Sequence, residues 1–115
     1  MTVPNYVPQR GDVAWLTLDP TLGHEQAGRR PVVVLSHGRY NGRTGLMICC
    51  PITNQAKGYP LEFALPAAGR TTGVALADQL KSVDWRERRA EFIESLPLPT
   101  MVEILRRARV MLSDA

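Results

Sequence analysis

Apolar residues arrive in short runs along this chain, each closed by turn-forming residues. Val13-Ala-Trp-Leu-Thr-Leu18 follows the turn pair Gly11-Asp12 and stops at Asp19-Pro20, which reads as a strand. A polar loop then runs to Arg30. Pro31 disfavours helix at Arg30 and pushes it toward an extended geometry, and Val32-Val-Val-Leu35 follows as a buried strand. Arg39-Tyr-Asn-Gly-Arg-Thr-Gly45 reads as a hairpin-like loop with Asn41-Gly42 at its turn, and Leu46-Met-Ile-Cys-Cys50 as a strand closed by Pro51. Leu61–Leu65 reads as a further strand. Gly69–Gly73 turns the chain, and residues 74–77 and 79–83 form one longer strand or two short ones. Short strands with turn signals at this spacing predict a small barrel or strongly curved sheet.

The period changes at the C-terminus. Thr100-Met-Val-Glu103 matches a capping box, and Met101, Ile104, Leu105, Ala108, Met111 and Leu112 then fall near one face of a helix. Arg106, Arg107 and Arg109 take other positions and read as a solvated face. The predicted class is therefore mainly β with a C-terminal helix, in one domain spanning residues 1–115.

Composition narrows the picture. No apolar run approaches the length of a membrane span, and the N-terminal residues have no secretory h-region, so the cytoplasm is the expected compartment. Cys49 and Cys50 are adjacent, as neither a disulfide framework nor a zinc motif would space them, and read as small core residues. His24 and His37 are the only histidines, so no imidazole metal site and no cofactor are expected. The net charge of +3 is unevenly placed. Residues 20–60 carry Arg29, Arg30, Arg39, Arg43 and Lys57 against Glu25 alone, while the rest of the chain is close to balanced. Such a basic segment suits a polyanion or is simply a solvated face.

The candidate chemistry sits at two strand ends. Glu25, Gln26, Arg29 and Arg30 precede one strand, and Thr53, Asn54, Gln55 and Lys57 follow another. Antiparallel pairing of those strands would lay the two segments side by side. An arginine fork, a hydroxyl, an amide and a lysine would then face one cavity suited to a phosphodiester. A structural ion pair between Glu25 and an arginine is the plainer reading of the same residues.

Glu25-Gln-Ala-Gly-Arg-Arg-Pro-Val-Val-Val-Leu-Ser36 resembles the signature of MazF/PemK-type toxins. The resemblance continues through Gly11-Asp12, Trp15, Asp19-Pro20-Thr21, Pro51-Ile-Thr53, Lys57-Gly-Tyr-Pro60 and Gly73–Gln79, in the family's order, with the last two blocks pointing to its MazF branch. It implies an SH3-like, plasmid-maintenance-toxin barrel and a homodimer. It also implies a sequence-specific, metal-independent endoribonuclease that cuts single-stranded RNA and arrests growth. The implied partners are an antitoxin whose C-terminal tail covers the active surface and promoter DNA reached only through that complex.

Carried over by position, the family's catalytic arginine and threonine fall on Arg30 and Thr53, and the signature glutamate on Glu25. Asn54 stands where some relatives carry a second Thr, and residues 85–97 match the pattern poorly. The expected reaction is attack of the RNA 2′-hydroxyl on its own phosphate, leaving a 2′,3′-cyclic phosphate and a 5′-hydroxyl. Arg30 and Thr53 would hold the phosphoryl oxygens, and Glu25 would orient Arg30 or accept a proton, orientation being preferred. Gln55, Gln79 and Asn41 have the paired donors and acceptors to read base edges, and Lys57 and Arg29 would hold flanking phosphates. Trp15 reads as core or dimer surface rather than a stacking platform. Two alternatives use the same fold: a toxin that binds a protein such as DNA gyrase, and a module that acts as an antitoxin-bound co-repressor.

Overall fold

The computed structural model describes residues 5–17 and 28–113. Among these the elements are β1 (Asp12–Thr17), β2 (Arg29–Val34), α1 (Gly38–Thr44), β3 (Leu46–Thr53), β4 (Glu62–Ala64), β5 (Val74–Leu76), β6 (Lys81–Asp84), β7 (Glu91–Ser95) and α2 (Leu98–Val110). All the strands belong to one antiparallel sheet in the order β4-β5-β3-β2-β1-β7, with β6 added to β3.

The run of β-branched residues in β2 explains its central place. Val32, Val33 and Val34 are all buried, because successive side chains point to opposite faces and both faces are covered. Val33 joins Val13, Cys50, Ile52 and Ala75 beneath Met101, Ile104 and Ala108 of α2. Val32 and Val34 join Leu16, Met47, Cys49, Val83 and Trp85 on the other face, where Tyr6 and Val7 pack from the N-terminal segment. The adjacent cysteines are divided between the same two clusters, as core residues on a strand should be.

Strand β3 is the fork of the sheet. One edge pairs with β2 through Val32↔Pro51, Val33↔Cys50 and Val34↔Cys49. The other edge is shared: Leu46–Cys49 pair with β6, and Ile52–Thr53 with β5. Pro51 has no N–H to give, and it falls between the two outer partners, so neither ladder loses a donor. This is why β3 runs on to Thr53, whereas the sequence reading ended it at Pro51. A register shift between Val13 and Ala14 against β7 adds a local bend to β1. Among the described residues no ladder joins β4 to β7, so the curved sheet is not a closed barrel.

Three other local expectations are corrected. Residues 38–44 form a helix rather than a hairpin-like loop: His37 accepts the Tyr40 N–H at its start, and Gly45, at φ 75°, closes its end. Helix α2 begins at Leu98, before Thr100, with Pro99 in its first turn. Glu103 bonds Arg106 and Arg107 instead of reaching back to a cap. Met111 and Leu112 lie past the helix and are exposed, so the apolar stripe ends at Ala108. The expected solvated face holds for Arg106, while Arg107 lies 4.7 Å over the Phe63 ring and ties α2 to β4.

Burial pushes the Cys49 thiol up to about 11 and the Cys50 thiol up to about 12. Both therefore keep their protons in the folded chain over a range in which the unfolded chain releases them. Their contribution to stability is complete below the ordinary thiol value and falls as pH rises from there toward these values. At pH 8 an alkylating reagent should label neither cysteine in the native protein and both in urea, read by mass spectrometry. Labelling at equal rates in the two states would contradict this placement.

Candidate active site

The β2–β3 register builds the site. Beyond the last pair of the ladder, Val32↔Pro51, the two strands carry Arg30 and Thr53, each two residues further on. Along β2 the alternation Val34, Val32, Arg30 holds one face, and along β3 Met47, Cys49, Pro51, Thr53 holds the same face. Arg30 and Thr53 thus stand at the open end of an apolar floor, and both line a groove of about 420 Å³. Leu16, Val32, Cys49 and Val83 form much of that floor.

The charge of the groove is one-sided. Arg30, Lys81 and Arg88 line it, and no carboxylate does so among the described residues. Lys81 arrives through its pairing with Cys49, and Arg88 through the turn after β6. Both cations pull the Cys49 thiol down, although its burial outweighs them. Three cations over an apolar floor favour an anion more strongly than the same charges would in open water.

The two adjacent arginines have different tasks because β2 sends them to opposite faces. Arg29 donates to Thr17 Oγ1, its strand partner, and to the Arg89 carbonyl, and pairs with Glu91 at 3.3 Å. These contacts tie β2 to β1 and β7, so the expected phosphate-holding role does not fit Arg29. Arg30 is exposed, and its guanidinium makes no hydrogen bond or ion pair within the described residues. Consecutive residues thus differ: Arg29 is paired with Glu91, a partner the sequence did not suggest, while Arg30 lines the groove.

Thr53 is held from two sides. Its Oγ1 accepts the Gln55 N–H at 3.1 Å, which fixes the turn and leaves the hydroxyl proton available to the groove. Across the β5 ladder, Gly73 lies so close that a Cβ there would meet the Thr53 carbonyl oxygen at 2.5 Å. Only glycine permits that approach, and its φ of +112° also suits glycine alone. Thr72 Oγ1 then bonds Asn54 Oδ1, bracing the residue after Thr53.

A second depression of about 260 Å³ adjoins the first and shares Thr53, Leu76 and Gln79 with it. Gln55 and Lys57 line it as well, so these expected contacts gather at one place. Its two carboxylates are Glu62, which accepts the Lys57 and Gly58 backbone N–H groups, and Asp78. Glu25 lies outside the described residues. Asn41 is corrected outright: it is fully buried, donates to the Pro8 and Ser36 carbonyls, and accepts from Ser36 Oγ. No base can reach it. Trp15 is 40% exposed and points to the face opposite the groove, which leaves it no stacking role there.

Lys81 and Arg88 were not found by the sequence reading. Lys81 sits in a segment read only as a strand, and its chemistry depends on the distant pairing with Cys49. Arg88 falls in the stretch where the motif match was poor. The one available signal was the odd-numbered alternation of Lys81 with buried Val83.

Residues 9–112 match the family of PemK-like, MazF-like toxins of type II toxin–antitoxin systems. The endoribonuclease toxin MazF of Escherichia coli K12 is 56% identical over 88 residues, 76% of this chain and 78% of that one. The endoribonuclease PemK of E. coli is 36% identical over 109 residues, covering 91% and 82%. A MazE–MazF crystal structure from Deinococcus radiodurans superposes with a TM-score of 0.88 at 49% identity, covering 94% of this chain and 97% of that one. The chain belongs to the PemK/MazF toxin family.

Asn41→Ala should test the corrected role of that residue. It leaves the Pro8 and Ser36 carbonyls without their donor inside the fold and should cost about 2–4 kcal/mol in a urea titration. A lowered RNA affinity at an unchanged urea midpoint would return Asn41 to the binding surface.

Proposed function

We propose that the groove cuts single-stranded RNA by metal-independent transesterification, with Arg30 and Thr53 on the scissile phosphate. The chain is an endoribonuclease toxin of a type II toxin–antitoxin system, the activity named in its relatives. The observation that supports the mechanism is that Arg30, without a partner among the described residues, and the oriented Thr53 hydroxyl line one groove over an apolar floor.

The RNA 2′-oxygen forms a bond to phosphorus as the bond to the 5′-oxygen breaks. The 2′-hydroxyl gives up a proton and the leaving oxygen takes one. Negative charge grows on the phosphoryl oxygens during this exchange, so fixed donors aimed at them lower the barrier. The Arg30 fork spans two oxygens, and Thr53 Oγ1 donates a third hydrogen bond. Lys81 and Arg88 hold the flanking backbone by charge. Glu25 orients Arg30. A 2′-hydroxyl is consumed in the reaction, so DNA is not cut.

The second depression receives the neighbouring base, with Gln55 and Gln79 offering an acceptor and donors to its edge and Lys57 holding the adjoining phosphate. The partners follow from the family: a homodimer, and an antitoxin of the MazE type, as in the D. radiodurans complex. Its C-terminal tail covers the cationic groove and thereby excludes RNA. Promoter DNA is met only through that complex. The residues 1–115 act as one toxin domain in the cytoplasm.

Purified protein incubated with varied single-stranded RNA in EDTA should yield cyclic-phosphate ends. Arg30→Ala should slow cleavage by about 10²–10³-fold while leaving the urea midpoint in place, the loss expected for one transition-state donor. Replacing the 2′-hydroxyl at the cut site by hydrogen should stop the reaction. Wild-type protein that cuts none of the RNAs would favour a protein-target toxin, and an unimpaired Arg30→Ala would remove Arg30 from the mechanism.

A further inference from the structure

We propose that the cationic groove continues along the β3–β6 ladder onto Arg86, Arg43 and Arg39, as a track for the backbone of single-stranded RNA beyond the cut. This rests on the ribonuclease reading of the groove and adds a second surface to it.

The ladder supplies the direction. Starting from Thr53 and moving back along β3, the next cation is Lys81, opposite Cys49. Met47↔Val83 follows as buried floor, and then Trp85, whose backbone N–H bonds the Gly45 carbonyl. Odd-numbered Lys81, Val83 and Trp85 share the face of the groove, and Val83 and Trp85 belong to its apolar cluster. Arg86 lies over the Trp85 ring at 4.8 Å and donates to the Gly42 carbonyl of α1. Arg43 sits in the last turn of that helix, and Arg39 one turn earlier. Eight residues of strand separate Thr53 from Gly45, a contour of about 27 Å. The reacting linkage occupies only the Thr53 end of it.

Charge pairing sets these arginines apart from Arg29, Arg106 and Arg107. Arg29 is neutralised by Glu91, and Arg106 and Arg107 by Glu103. Arg39 and Arg43 are exposed and make no hydrogen bond or ion pair through their guanidinium groups within the described residues, and α1 has no acidic residue. In the turn that carries Arg86, the Asp84 carboxylate accepts the backbone N–H groups of Arg86 and Glu87, while the Glu87 side chain is exposed. A row of unneutralised guanidinium groups continuing from a phosphate-binding groove fits a polyanion of repeating charge. It carries no base-reading amide after the correction of Asn41, so the track binds without regard to sequence.

The test uses 2′-O-methyl RNA, which cannot undergo the reaction: a mixed-sequence 20-mer and its central five nucleotides, with binding read by fluorescence anisotropy. Wild-type protein should bind the 20-mer more tightly than the 5-mer. Arg39→Glu with Arg43→Glu should lower that long-to-short ratio about tenfold. It should also make the salt dependence for the 20-mer shallower by about 1.4 in log–log slope, the value for two single-strand phosphate contacts. Arg106→Glu, on the helix across the sheet, should change neither. A ratio and slope that survive the double reversal would overturn the track, even if an acidic peptide bound there. So would an equal loss on both oligonucleotides, which would place these arginines in the groove itself. The cleavage assay with ordinary RNA stands apart: failure to cut would remove the ribonuclease reading, while the binding ratio would still decide whether the track exists.

Discussion

The pairing of β2 with β3 is the constraint on which everything else rests. Its register sets Val32 opposite Pro51, and just beyond that pair the two strands carry Arg30 and Thr53, which line one groove. A slip of one residue would turn one of the two away from the groove, because strand side chains alternate with a period of two. The slip is opposed by the core itself. Val32 and Val34 fill one cluster, Val33 the other, and Cys49 and Cys50 are divided in the same way. Moving the register would place these residues against new neighbours on both faces at once. The same packing that stabilises the sheet therefore aims the site.

Around that register the charges are sorted by need. Arg29 is paired with Glu91 and bonded to Thr17 and Arg89, which makes it a clamp between strands. Arg30 is left without such partners among the described residues and faces the groove. Lys81 and Arg88 add charge from β6 and its following turn, and no described carboxylate lines the same space. Such an arrangement favours a bound polyanion. Thr53 is held by the Gln55 N–H and by the close approach of Gly73, so its hydroxyl is positioned before any substrate arrives.

Much of this was legible along the chain. The valine run announced a strand buried on both faces, the adjacent cysteines announced core residues, and Arg30 and Thr53 stood at strand ends that antiparallel pairing would join. Other features were misread for identifiable reasons. Asn41-Gly42 has the composition of a hairpin turn, but the Asn41 amide satisfies the Pro8 and Ser36 carbonyls, which lie far apart in sequence or outside the turn, and a helix results. Pro51 looked like a strand terminator, yet it falls where the outer ladders of β3 change partner. Thr100 looked like a helix cap, yet the helix starts earlier, with Pro99 in its first turn.

The sequence by itself determined most of the strands, though not β7, most of the core residues, and the motif that names the family, because these depend on local pattern and side-chain type. The tertiary structure decided which charges are free. Arg29 and Arg30 are identical in chemistry and adjacent in sequence, and only the neighbours brought by the sheet make one a clamp between strands and leave the other facing the groove. Lys81 likewise became part of the groove through a strand pairing across more than thirty residues, which no local pattern encodes.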